Sequence, residues 1–121
     1  MTENHVQELR LSREKLRMAF SFNLIIRTGI NGIDRENDNV DVEVHFPSGE
    51  TYVATFFTLT NIQTLFEKNR MTGECKNGWY FQCPDMIIVE ELTEGVVRET
   101  VQDLLENGEF EHAFLKIEET E

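Results

Sequence analysis

Beyond the carboxylates, too plentiful here to be informative, the side chains best suited to acid–base, nucleophilic or metal chemistry are His5, His45, His112, Cys75 and Cys83. A structural zinc site announces itself by close cysteine or histidine pairs at ligand spacing. Cys75 and Cys83 stand eight positions apart with no second pair, and the histidines are scattered, so no metal site is expected. A cysteine nucleophile needs a base beside it and a feature that lowers its pKa. Cys83 precedes Pro84 and Asp85 in a turn, an exposed place for a thiol, but its surroundings are acidic and favour the protonated form. Free thiols are the expectation for both cysteines, with a bridge around Trp79 and Tyr80 as the alternative. His45 alternates with Glu43 in a strand pattern and should face solvent. Asp34, Glu36, Asp38 and Asp41 superficially resemble a calcium loop. Counted from Asp34, however, the sixth position is Asn39 and the twelfth is His45, where an EF-hand requires Gly and Glu. A strand pattern follows instead of a helix. Gly-rich phosphate loops are absent. No catalytic residue, metal ligand or cofactor is therefore assigned, and an enzyme is not expected.

Charge is the feature that points toward a partner. Residues 85–121 hold twelve acids against Arg98 and Lys116, so −10 of the chain's net −12 lies there. Such a face disfavours nucleic acid and anionic membrane, which are themselves negative. A basic protein remains compatible with it. No apolar run approaches the roughly 20 residues that span a bilayer. The start of the chain lacks the basic and apolar stretches of a secretory signal, so a cytoplasmic protein is expected.

These residues need elements to position them. At 121 residues, 40% hydrophobic and with nine Phe, the chain can fill one core. Residues 1–17 read as an arm or short helix, 18–117 as one domain, and 118–121 as an acidic tail. Phe20, Phe22, Leu24 and Ile26 alternate with Ser21, Asn23, Ile25 and Arg27, a half-buried strand. Gly29 to Asn39 is a loop. Val40, Val42, Val44 and Phe46 alternate with Asp41, Glu43 and His45. The turn residues Pro47-Ser48-Gly49-Glu50 then lead into strand formers from Thr51 to Leu59, so a β-hairpin spans 40–59.

Thr60 and Gln63 have capping-box spacing, and Ile62, Leu65 and Phe66 give a helical apolar face that Gly73 can end. Asn77-Gly78 reads as a turn, Trp79-Tyr80-Phe81 as a short strand, and Met86 to Val89 as another. Thr93 caps a helix to Glu106, with Val96, Val97, Thr100, Val101, Leu104 and Leu105 on one broad face and Asn107-Gly108 at its end. Phe110, Phe114 and Ile117 could tie the following segment to the core. Together these elements predict an α+β fold: an antiparallel sheet of about five strands with two amphipathic helices on one face. Connections between the strands are too short for parallel crossovers, except across the 60–73 helix.

The segments Tyr52 to Leu59, Asn61-Ile62, Thr72-Gly73-Glu74, Asn77-Gly78-Trp79-Tyr80-Phe81, Asp85-Met86-Ile87-Ile88-Val89 and Gly108-Glu109-Phe110 together resemble a group of small bacterial proteins of unassigned function. The resemblance covers about residues 40–114. It implies bacterial origin and a compact α+β domain, and it implies no activity. Gln82-Cys83-Pro84 departs from the pattern, which has an aromatic followed by small residues there.

The expectation for function is a non-enzymatic protein-binding module with an acidic C-terminal face, of which a toxin-neutralising, immunity-like protein is one form. Glu90, Glu91, Glu94, Glu99, Asp103 and Glu106 would steer a basic partner. Glu99, Asp103 and Glu106 line up at i, i+4 and i+7, an arrangement that slightly opposes helix stability. Trp79 and Tyr80 are the candidate anchors, with core packing expected for at least one of them. The alternative is a small-ligand protein or enzyme with a pocket between sheet and helices, which would need His45, Cys83 and Asp85 to converge. An oligomeric structural module is a third possibility.

Overall fold

A computed structural model describes residues 21–118. The expected arm over 1–17, the start of the first strand and the acids beyond Glu118 lie outside them. The described chain runs β1 (Asn23–Arg27), β2 (Asn39–His45), β3 (Thr51–Thr58), α1 (Leu59–Thr72), α2 (Glu74–Gly78), β4 (Met86–Val89), α3 (Glu94–Asn107), α4 (Phe110–Ala113) and β5 (Leu115–Ile117). This is the expected α+β class, with a five-stranded sheet.

The alternating pattern determines the sheet. In β2 and β3 the apolar positions Val40, Val42, Val44, Tyr52, Ala54 and Phe56 are buried on one face, while His45, Glu43 and Thr55 occupy the other. The hairpin register sets Val44 opposite Tyr52 and His45 opposite Thr51. Its turn closes through Gly49 N–H to Phe46 C=O (2.9 Å), with Gly49 at φ 99°. β1 joins β2 antiparallel and turns Leu24 and Ile26 toward the core. β4 joins β3 in parallel through the α1 crossover, a departure from the antiparallel expectation at the one connection long enough to allow it. β5 also pairs with β3, antiparallel, so β4 and β5 share the same edge of β3 end to end.

α3 packs Val97 and Val101 onto the apolar sheet face, and Phe110 and Phe114 of the following turn stack at 4.6 Å and complete the core. Thr93 caps α3 as expected, its hydroxyl accepting from Val96 N–H at 3.0 Å, and Gly108 ends it at φ 81°. The apolar residues of α1 (Ile62, Leu65 and Phe66) are only half-buried and stand outside this core cluster.

Three local expectations are corrected. The cap of α1 is Thr58 rather than Thr60: the Thr58 hydroxyl is fully buried and accepts from both Asn61 N–H (3.0 Å) and Asp38 N–H (3.2 Å). Trp79-Tyr80-Phe81 is not a strand. The chain reaches it through a left-handed turn in which Cys75, Lys76 and Asn77 all have φ between 52° and 58°, and Phe81 instead packs its ring against Phe57 at 5.4 Å. The fifth strand is β5, a segment expected only to tie down the C-terminal end.

Candidate functional site

The acidic residues come together around Val96, near the start of α3. A shallow depression of 320 Å³ is lined by Val89, Glu90, Glu91 and Val96. A second, of 610 Å³, is lined by Val96, Glu99, Asp103 and Leu104 among others. Because Val96 belongs to both, acids from the β4–α3 loop and from the outer face of α3 border one continuous surface with an apolar floor.

Within this surface the carboxylates are engaged to different degrees. Glu91 receives both Nε and Nη2 of Arg35, the latter at 2.8 Å. Glu94 pairs with Arg98 one turn on, at 3.7 Å. Glu99, Asp103 and Glu106 also have interactions within the chain. Glu106 borders neither depression; its Oε2 lies 3.5 Å from Nε2 of the buried Gln102. Five of the six expected acids thus lie on or next to the Val96 surface, and Glu106 sits a turn further along.

The expected aromatic anchors occupy a different neighbourhood. Trp79 is 77% exposed and Tyr80 55% exposed, so neither packs in the core as was expected of at least one. They follow the left-handed turn, where Lys76 Nζ lies 5.5 Å from the centre of the Trp79 ring. Met71, near the end of α1, is also exposed, and neither aromatic lines the Val96 depressions. The turn is held by Gly73 and Gly78, both at positive φ, and by Trp79 N–H donating to Cys75 C=O at 3.0 Å. Left-handed backbone costs a non-glycine residue roughly 1–2 kcal/mol, so three in succession require the tertiary support that Gly78 provides.

The residues needed by the enzymatic alternative assemble only in part. Cys83 and Asp85 line a 330 Å³ depression on the outward sheet face together with Arg27, Asp41, Glu43 and Thr55. His45 is not among its lining residues but is bonded to one of them, Nε2 to Glu43 Oε1 at 2.9 Å. The other imidazole nitrogen lies 3.2 Å from Thr51 Oγ1, and Arg27 Nε donates to Glu43 Oε2 at 2.9 Å. The bonds from His45 and then Arg27 hold the Glu43 carboxyl below its ordinary pKa. Hydroxyl, imidazole and carboxylate in series have the connectivity of a nucleophile, a base and an orienting group. Thr51 and His45 nevertheless stand on the open sheet, outside the adjoining depression.

A larger cleft of 690 Å³ opens between the sheet and the helices, floored by Phe46, Tyr52, Leu105 and Phe110 and rimmed by Glu50 and His112. Burial pushes the Tyr52 hydroxyl pKa up, with Glu50 adding to the shift. The alternative reading placed a pocket between sheet and helices, but His45, Cys83 and Asp85 do not line this one; its own residues went unnamed because Phe46 and Phe110 meet only through the tertiary fold, their ring centres 5.6 Å apart. Asp34 and Asp38 are occupied by their own loop: Asp34 accepts from Glu36 and Asn37 N–H, and Asp38 accepts from Asp34 N–H. Cys75 and Cys83 are free thiols. Among the described residues, no helix is long and apolar enough to cross a membrane. No family model matches the chain, and the comparisons with curated proteins and with solved structures return no match.

Proposed function

We propose that this protein is a non-enzymatic binding module that receives a basic protein on the Val96 surface. The observation that supports the reading is the sharing of Val96 by two depressions, one bordered by Glu90 and Glu91 and the other by Glu99 and Asp103. Apolar floor within an acidic rim suits a cationic partner that also carries a few apolar contacts. Charges at the rim steer association more than they add affinity. A cytoplasmic, toxin-neutralising role is one form this activity takes. Trp79 and Tyr80 then form a separate contact region for a partner large enough to span both.

The test is titration of the protein with a lysine-rich peptide at about 0.05 M and about 0.5 M salt, where the screening length shrinks several-fold. The reading requires binding that weakens with salt and that perturbs the backbone signals of Val96, Glu99 and Asp103. Salt-insensitive binding, or signals that move elsewhere, would count against it.

A further inference from the structure

The outer edge of β4 extends this surface into a line of backbone groups. Thr55 N–H donates to Asp85 C=O at 3.0 Å, and the parallel register places Thr55 beside Met86 and Phe57 beside Ile88. In a parallel ladder such a pattern directs Ile87 toward β3 and leaves the N–H and C=O of Met86 and Ile88 pointing away from it. Among the described residues no strand pairs with that second edge. Ile88 is 51% exposed there. Edges of this kind are templates for another strand, and natural proteins blunt them with short length, charge, Pro or a bulge. Here the strand is four residues long with Pro84 before it, and its flanking charges, Asp85, Glu90 and Glu91, are all acidic, so they repel a like strand but not a basic one.

We propose that the edge of β4 takes up an extended segment of a basic protein by strand addition, with cationic side chains of that segment meeting Asp85 and Glu90. This rests on the reading of the Val96 surface as the seat of a basic partner, and it specifies how the partner's backbone is held. Strand addition draws affinity from main-chain hydrogen bonds and specificity from alternate side chains. The charges choose the occupant. Antiparallel pairing of two copies centred on Ile88 would set Asp85 of each opposite Glu91 of the other, and each copy carries a net −12. Like charges directly opposite destabilise a pair of strands, so a second copy is disfavoured where a basic strand is favoured. The 320 Å³ depression is lined by Val89, the last residue of β4, together with Glu90 and Val96, so a segment added along β4 would run toward it.

The probe is a hexapeptide of alternating Thr and Val with Lys at both ends, compared with the same peptide N-methylated at alternate residues so that one backbone edge cannot donate. Amide exchange is followed by NMR on the full chain. The unmodified peptide at millimolar concentration should slow exchange at Met86 and Ile88, and N-methylation should weaken binding by about tenfold although its charges are the same. Ile88→Pro removes an outward N–H without touching the β3 ladder and should weaken binding similarly, while Ile88→Thr should retain it. Equal binding of the two peptides, or no protection of Met86 and Ile88, overturns strand addition. If binding persists with salt-sensitive shifts at Glu99 and Asp103 alone, the Val96 reading survives without the edge; if no peptide binds at either salt concentration, both fail. Protection of the same amides before peptide is added, lost when residues 1–20 are deleted, would assign the edge to the chain's own N-terminal segment and would also overturn the proposal.

Discussion

Gly78 lies against the backbone of Phe66: a Cβ added at residue 78 would meet the Phe66 carbonyl oxygen at 2.9 Å and the Arg70 amide nitrogen at 3.0 Å. Gly78 also has φ 78°, a conformation that L side chains rarely adopt. Close packing and left-handed backbone therefore coincide at one residue, which fastens the Trp79 segment to α1. Gly78→Ala should cost about 2–4 kcal/mol, combining a left-handed penalty with overpacking. Gly108→Ala, at φ 81° with nothing within 4 Å, carries only the first of these and should cost about 1–2 kcal/mol. Denaturant unfolding of both variants checks the order; equal losses would show that Gly78 is not a packing constraint.

Lys76 offers the converse substitution. It holds a φ of 58° with no glycine's freedom, inside three consecutive left-handed residues. Replacing it by Gly relieves about 1–2 kcal/mol of strain and gives back roughly 0.5–1 kcal/mol in chain entropy. Lys76→Gly should therefore leave stability unchanged or raise it by up to about 1 kcal/mol, despite losing the contact over Trp79. A marked destabilisation would mean that this contact matters more than the backbone.

What could be recognised in advance follows from how local each signal is. The hairpin, α3 and its Thr93 cap were legible because period, turn residues and cap lie within a few positions of one another. The left-handed turn was not, because Cys75 and Lys76 have no preference for that conformation and are held by Gly78 against α1. Strand propensity at Trp79-Tyr80-Phe81 was overridden for the same reason. β5 went unseen because its pairing with Thr51–Val53 is remote in sequence. At the candidate site, the acids of α3 could be placed by helical spacing alone. Their meeting with Glu90 and Glu91 at Val96 depends on how the β4–α3 loop turns, which residue types do not encode.

The cap of α1 separates local from tertiary information at the level of single hydroxyls. Thr60 has the better sequence pattern, yet it is exposed, while Thr58 is buried and serves two N–H donors across the loop and the helix. Thr58→Val keeps the shape and removes only the acceptor, leaving both donors poorly satisfied; it should cost about 2 kcal/mol. Thr60→Val should fall within about 0.5 kcal/mol of the parent. Thermal unfolding of the two variants decides between the assignments, and a larger loss at Thr60 would reverse ours.

Glu43 should give the sheet face a pH dependence of known sign. Its folded pKa is depressed, first by the bond to His45 and then by Arg27. A depressed carboxylate contributes stability that is fully present above its unfolded pKa, about 4.3, and is lost as pH falls through the folded value. Glu43→Gln should thus be less stable than the parent at pH 6, by no more than about 1 kcal/mol because the Arg27 partner is exposed. That gap should close as pH is lowered below about 4. Denaturant titrations across this range test it, and a gap independent of pH would remove Glu43 from the set of groups that stabilise the sheet.

Position, rather than total charge, should govern binding at the Val96 surface. Combining Glu90→Gln, Glu99→Gln and Asp103→Asn reduces the net charge from −12 to −9. Combining Glu67→Gln, Glu109→Gln and Glu118→Gln produces the same change at exposed sites outside both depressions. Long-range attraction through the overall field would weaken equally in the two triple variants. Contacts across a few ångströms are screened less and depend on where the charges sit. The first triple should therefore reduce affinity for the lysine-rich peptide by about tenfold, and the second by no more than about twofold. Calorimetric titration of both at the same ionic strength provides the comparison. Matching losses would assign the attraction to net charge alone, and the acids around Val96 would then serve solubility instead of recognition.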